Sequence, residues 1–539
     1  MNKYFQIYLL CFVLLTSNQV IYNQSQNFST NISKRFSLKQ FNDQWWLVTP
    51  EGKPFFSRGV CCVNTGLAFD EYNQSNPGYA AWHHFENPAA WARNTVDSLT
   101  SWGYTTIGGW SSMEHFLKLD TLKMYFTPVL AMGATAGMPW FDMWDSSVVE
   151  RMDRIAKDRI LKVKDSPNLI GYYSDNELGW WNAALWNMTL KDKPSSISRQ
   201  KTIDLIFNHY EGNWEKLLND FEPSNAANFE ELRKSGHLYF HAGGNGITVV
   251  KKFISMIADR YYSLMKETIR KYDNGSLFLG DRYQAFYYNE VVKSASKYVD
   301  VVSTNLNASW NDGTMCRFFL SNLYKLSEKP VAIGEYYMAA NENRSGNKNS
   351  SASFPTVHTQ EDRVKGFLAT SKLIAQTPFI VMADWFQYYD EPMHGRDDGE
   401  NFNMGLIDIF GNPYHELVLA AKNFNWEGLK FTSNFNSNSS NGIPPAPKSE
   451  IVIRKDKEIL KNWDRLNGFV ESTSPLPSAD MYLCWDEDSL FIGIYSIDVV
   501  EKEYYKDNFI PEVDRMELML RLDNSSDEIK IRLGSGRKP

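Results

Sequence analysis

Hydrophobic and polar positions follow two regimes along most of this chain. From about residue 55, short runs that are apolar on both faces occur at 55–63, 105–110, 125–133, 169–177, 276–282, 299–305, 331–337 and 379–388. Between them lie longer stretches in which apolar residues recur at helical spacing, such as 88–102 before the second run and 246–271 before the fifth. Strands apolar on both faces belong to parallel sheets, because each βα unit lays a helix over the sheet it extends. The pattern predicts an α/β fold, and eight such units predict a closed (β/α)8 TIM barrel over residues 55–432.

The flanks break this rhythm. Residues 24–36 are rich in Asn and Ser, and 45–54 read as a strand ending in a turn at Pro50 and Gly52, so 24–54 are expected to form a linker and a small N-terminal β element. The stretch 180–245, rich in Trp, Asn and Asp, follows the fourth run on the side where such barrels carry their active sites, and is expected to wall a cleft. Residues 433–450 turn polar and then Pro-rich, as a linker does. Beyond them, strand-like runs at 479–485, 490–496 and 515–522 alternate with turns, which predicts a C-terminal β-sandwich over 451–539.

Composition narrows the function. A net charge of -8 with no basic stripe speaks against a nucleic-acid partner, whose phosphates demand clustered Lys and Arg. Aromatic residues reach 14%; most belong in a core, but flat rings also suit the apolar faces of sugars. The start, Met1-Asn2-Lys3 followed by an apolar run at 8–15, has the layout of a signal peptide over 1–23 and is too short to span a bilayer. A secreted or periplasmic protein without a membrane span is expected. Cys61, Cys62, Cys316 and Cys484 match no metal-ligand spacing, and His83 and His84 are adjacent rather than a turn apart, so neither a metal nor another cofactor is expected.

Two runs end in a glutamate: Ser174-Asp175-Asn176-Glu177 and Ile333-Gly334-Glu335. One glutamate at a strand end is an ordinary rim residue. Two, at the carboxyl ends of strands 4 and 7, stand where barrel enzymes keep catalytic groups. Glycoside hydrolysis needs such a pair, one carboxyl protonated to release the leaving group and one ionised to attack the anomeric carbon. In this reading Glu177 is the acid and then the base, Glu335 is the nucleophile, and Asn176 holds the sugar 2-hydroxyl.

An Asn-Glu on strand 4 with a Glu on strand 7 resembles the clan A retaining glycosidases. Four blocks, at 45–63, 101–110, 171–178 and 384–405, resemble glycoside hydrolase family 50, the β-agarases, over roughly residues 40–425. The resemblance implies the same roles for Glu177 and Glu335 and a sugar platform at Trp385. It also implies a cleft lined by Arg396, Asp398, Glu400 and Asn401, with Trp110, Asp281, Arg282 and Asn305 as further substrate contacts. Two positions depart from the family pattern: Gly109 stands before Trp110, and strand 6 continues as Asn305-Leu306-Asn307. The expected substrate is therefore agarose or a related algal galactan, with a β-galactosidase or mannanase as the alternative and a noncatalytic sugar-binding protein as a third reading. The distal part, with Trp463, 482–485 and 514–518, resembles carbohydrate-binding module family 9 and is expected to be truncated.

Overall fold

A computed structural model describes residues 34–432, apart from 139, 141, 181–182, 285–287, 306–316 and 352–353. In the C-terminal part it describes 469–470, 476–477, 479–485, 490–496, 500–509, 511, 515–521 and 528–534. The expected signal peptide at 1–23, the linker at 433–450, Cys316, Leu306, Asn307 and Trp463 lie outside the described residues.

The chain opens with three antiparallel strands, β1 (Ser37–Phe41), β2 (Gln44–Val48) and β3 (Pro54–Phe55). The sequence run expected at 55–63 is thus divided: Phe55 pairs with Leu47, and the parallel sheet begins only at β4 (Ser57–Val60). β5 (Thr106–Ile107), β6 (Tyr125–Phe126) and β7 (Gly171–Tyr172) follow. A hairpin of β8 (Phe221–Ser224) and β9 (His237–Phe240) lies in the insertion, before β10 (Leu277–Phe278), β11 (Val302–Thr304) and β12 (Val331–Tyr336). A short pair, β13 (Ala339–Ala340) and β14 (Thr356–Val357), precedes β15 (Ile380–Trp385).

One parallel sheet runs in the order β11-β12-β15-β4-β5-β6, and β10 pairs with β7 in a second. Single parallel bridges join the two, Phe126 to Leu169 and Val129 to Tyr173 on one side, Tyr283 to Thr304 on the other. Following the pairings in chain order leads back to the starting strand.

Inside this circuit Ile170, Leu277, Leu279, Ala332 and Met382 form an apolar cluster that also takes in Leu47 and Phe36 from the N-terminal sheet. Trp45 donates its backbone N–H to Pro378, just ahead of β15. The N-terminal element therefore packs at the starting ends of the strands, and the opposite, carboxyl ends are left for the two glutamates.

Helices flank the strands, and their boundaries follow local signals. Asn87 caps Pro88–Ser101 by accepting from the Ala90 N–H, with Pro at the first helical position. The 26-residue helix Ile247–Tyr272 buries a full apolar stripe from Val249 to Ile269.

The insertion is mostly helical, with Ala184–Lys191, Ile197–His209, Trp214–Leu218 and Phe229–Lys234 around the hairpin. Trp180 and Trp186 are fully buried, Trp180 against Tyr261 and Tyr262 of the 26-residue helix and Trp186 against Phe221 and Phe253, so neither ring presents a face to a sugar.

Farther on, β16 (Phe469–Val470), β17 (Ala479–Trp485) and β18 (Leu490–Ser496) form an antiparallel sheet, and β19 (Arg515–Arg521) pairs with β20 (Glu528–Gly534). This part is docked on the rest. The Phe318 N–H donates to Asp480 at 3.0 Å, and the Asn322 amide donates to Pro477 O at 2.7 Å. The Ala183 N–H donates to Glu501 at 2.9 Å, and the Tyr504 ring stacks on Phe240 with centroids 4.5 Å apart.

Candidate active site

β7 runs into Ser174-Asp175-Asn176-Glu177, and the chain there is tied down residue by residue. The Asp175 carboxylate is buried and accepts from the N–H groups of Gly133 and Ala134 and from the Tyr261 hydroxyl. Glu177 has φ 50°, a left-handed conformation that a side chain adopts at a cost of about 1–3 kcal/mol and keeps only when its surroundings hold it. The hold is its own N–H, which donates to the carbonyls of Asp281 and Arg282. The Asn305 amide, at the end of β11, then donates to Glu177 Oε1 at 2.8 Å and to Asn176 Oδ1 at 3.0 Å.

Glu335 ends β12, nearly buried. Arg282 Nη2 donates to Glu335 Oε1 at 2.8 Å and to the Gly334 carbonyl at 2.7 Å. Arg282 is itself completely buried, and Trp110 completes the setting: its ring centroid lies 5.9 Å from the guanidinium, and it remains 41% exposed. Of the rings proposed from sequence, this is the one with a face free for a ligand.

Burial pushes Glu335 up to about 7, against the pull of Arg282, while Glu177 and Glu400 push in the same direction as burial. Burial also raises Glu177, with the Asn305 hydrogen bond and Arg282 opposing it. The charge of Glu400 acts on both. These carboxyls thus share one electrostatic environment, in which the buried guanidinium opposes the rise of both and is hydrogen-bonded to Glu335.

The loop 396–401 adjoins the site but is bound to itself. Arg396 donates to Asp398 and Glu400 at 2.8 and 2.7 Å, and Asn401 accepts from the N–H of Ser350 and of Ser351. Glu391, fully buried, stands 3.6 Å from Arg396 and is pushed up to about 8 by burial. Asp281 is not available to a sugar either: it is buried and accepts from Tyr262 OH and Trp180 Nε1, both at 2.7 Å.

Trp385 is the clear correction among the sequence-proposed contacts. It has no exposed surface, its Nε1 donates to Met404 O at 2.9 Å, and its ring packs on Tyr336 and Phe367. The strand explains this. Side chains alternate faces, so when Asp384 points into the circuit, Trp385 points out to the helix Gln360–Gln376. Trp385→Ala is accordingly expected to cost about 3–5 kcal/mol of stability through an unfilled core site, to be checked by denaturant unfolding.

Two residues that sequence reasoning passed over belong to the site. Cys61 donates its thiol to Gly334 O and lies 3.6 Å from Arg282 Nη2; Asp384 is buried beside the same guanidinium. Their position at the carboxyl ends of β4 and β15 was the available signal. Among the described residues no cluster of His, Cys, Asp or Glu is arranged to hold a metal, and no helix is long and apolar enough to cross a membrane. A cavity of about 690 Å³ lined by Glu342, Arg344, Thr359 and Glu361 includes neither Glu177 nor Glu335.

Comparison with known proteins points one way. No family model matches the chain. It is 25% identical to β-agarase B of Vibrio sp. (strain JT0107) over 468 residues, covering 72% of this chain and 48% of the relative. With β-agarase A of the same organism it is 23% identical over 461 residues, covering 72% and 45%. The chain thus spans about half the length of the curated relatives it matches.

Among solved structures it resembles PfGH50B, with a TM-score of 0.62 at 21% identity over 77% of this chain and 72% of that one. It is similar to the agarase AgWH50C, with 0.62 at 22% over 75% and 67%, and to an exo-β-agarase, with 0.61 at 22% over 74% and 65%. At these identities the structural likeness shows the fold. It is a likeness to GH50 structures and carries no assignment to a wider clan.

Proposed function

We propose that this protein is a retaining glycoside hydrolase that cleaves agarose or a related algal galactan on a (β/α)8 barrel. The observation that carries the reading is the single network at the carboxyl ends of the strands, in which Asn305 holds Glu177 and Arg282 holds Glu335. The likeness to β-agarases in sequence supports the substrate class.

In this mechanism Glu335 attacks the anomeric carbon as Glu177 delivers its proton to the departing glycosidic oxygen, giving a glycosyl ester on Glu335. Glu177, now ionised, takes a proton from water, which attacks from the same side and restores Glu335. Burial raises the Glu177 carboxyl and so favours its protonated form, and Arg282 favours the ionised form of Glu335 over what burial alone would allow. Trp110, with an exposed ring beside Glu335, is the platform we assign to the sugar at the point of cleavage. Secretion, from the N-terminal sequence, and a C-terminal β-sandwich resembling module family 9 complete the proposal.

Incubating the protein with agarose, porphyran, carrageenan and β-mannan, and reading the products and their anomeric form by NMR, tests it. Release of β-anomeric oligosaccharides from a galactan is expected; no product from any of the four, or the inverted anomer, would overturn it. The pH profile is a separate test. Glu335 must be ionised to attack, and its ionised fraction falls as pH drops through about 7, so kcat/KM should decline about tenfold per unit below that value. A limb at the same pH that falls on the alkaline side would make Glu335 the acid.

A further inference from the structure

The last carboxylate before Trp385 has an unusual setting. Asp384 is completely buried, and among the described residues neither of its carboxylate oxygens has a hydrogen-bond partner. Isolated burial of that kind is costly unless a charge compensates it. The charge is Arg282, which is the opposing influence on Asp384 as burial pushes its carboxyl up.

The backbone is shaped around both groups. A Cβ on Gly59 would overlap Asp384 Oδ1, and one on Gly108 would come within 2.9 Å of Asp384 Oδ2. A Cβ on Gly109 would lie 2.9 Å from Arg282 Nη1, and one on Gly334 2.7 Å from Arg282 Nε. Four glycines, on β4, on β12 and just after β5, thus clear room for the Asp384 carboxylate and the Arg282 guanidinium.

Only one edge of Arg282 is used by Glu335. Nη2 makes that contact, whereas Nε and Nη1 have no hydrogen-bond partner among the described residues. Catalysis by the double-displacement route then raises a question of charge. While Glu335 is ionised, Arg282 is compensated. Once Glu335 has become a glycosyl ester it is neutral, and a buried guanidinium would stand alone, at a cost of several kcal/mol if nothing answered it.

We propose that Asp384 is a positioning residue that takes over as the counter-charge of Arg282 while Glu335 is esterified, so that the guanidinium stays in place through the covalent intermediate. The inference rests on the retaining mechanism above. No atom of Asp384 touches the sugar; the bond formed is Glu335 Oε to the anomeric carbon, the bond broken is the glycosidic one, and the proton delivered comes from Glu177. Asp384 contributes only its charge. The groups that face it are Arg282, Cys61, Tyr173 and Tyr336.

Asp384→Asn keeps the shape in the glycine-lined space and removes the charge. With an aryl glycoside carrying a good leaving group, the wild type should accumulate glycosyl-enzyme, measurable as a burst and by mass of the intact protein. In Asp384→Asn that level should drop at least tenfold, and the acid limb of kcat/KM should move to lower pH, because Arg282 then serves Glu335 alone. Asp384→Glu, which restores charge but not fit, should recover the limb only in part.

A second reading does not depend on turnover. A buried acid whose carboxyl is raised to about 7 favours the folded state below its unfolded value and loses that contribution as pH rises through 7. The melting temperature of the wild type should therefore fall between about pH 4 and 7 more steeply than that of Asp384→Asn. If the variant melts lower but keeps the wild-type limb and intermediate level, Asp384 is structural and the proposal is wrong. If the wild type hydrolyses nothing, the retaining reading has failed instead, and the melting curves still report whether Asp384 carries the buried charge.

Discussion

Replacing Glu335 by Ala should lower turnover about 10,000-fold or more, because it removes the group proposed to form the ester. Added azide should enter the space left by the side chain and attack from the face Glu335 occupied, giving a glycosyl azide of inverted configuration. Glu177→Ala should cost about 100- to 10,000-fold with natural substrate, the usual range for a lost general acid. With a good leaving group its first step survives, and azide should speed breakdown of the glycosyl-enzyme with net retention. Chromatography and NMR of the azide products settle the two roles; an inverted azide from the Glu177 variant would exchange them.

The second large effect belongs to Arg282. Arg282→Met fills similar volume but strands Glu335 and Asp384 as buried carboxylates without a cation, so a loss of about 3–5 kcal/mol is expected near neutral pH. The sign with pH is definite. Without Arg282 both carboxyls rise further, they are neutral at pH 5, and the deficit should shrink there and grow above pH 7. Activity should fall at the same time, since Glu335 is then protonated over the working range. Denaturant unfolding at pH 5 and 8 beside kcat/KM checks both; equal deficits at the two pH values would show that the arginine acts by packing alone.

Much of this site was readable from the chain because strand ends are readable. Glu177 and Glu335 each close an apolar run, and a charge following such a run must surface at the rim or do chemistry. What escaped is what depends on closing the circuit. Asp281 and Arg282 are neighbours in sequence, yet one turns to Tyr262 and Trp180 while the other reaches across to β12. Nothing local distinguishes them.

The family resemblance implies a sugar platform at Trp385, but the alternation of a strand sends it outward and Asp384 inward. The Trp-rich insertion misled in a similar way, since helical spacing places Trp186 against Phe221 and Phe253 rather than over a cleft. Nor do the eight runs disclose their pairing: β5, β6, β7 and β10 are only two residues long, and single bridges carry the rest.

The docked segment 500–509 has a mechanical consequence. Ala183 and Asn187 in the insertion bond to Glu501 and Glu503, and Tyr504 sits on Phe240 with its hydroxyl against Tyr288. These contacts bridge the insertion that follows β7 and the loop that follows β10, two segments on the catalytic side of the strands. The C-terminal segment therefore acts as a clamp across these two segments. A proteolytic nick that pulls the clamp away would release its contacts on both of these segments at once, so their packing is coupled to a piece of chain more than three hundred residues downstream of Glu177.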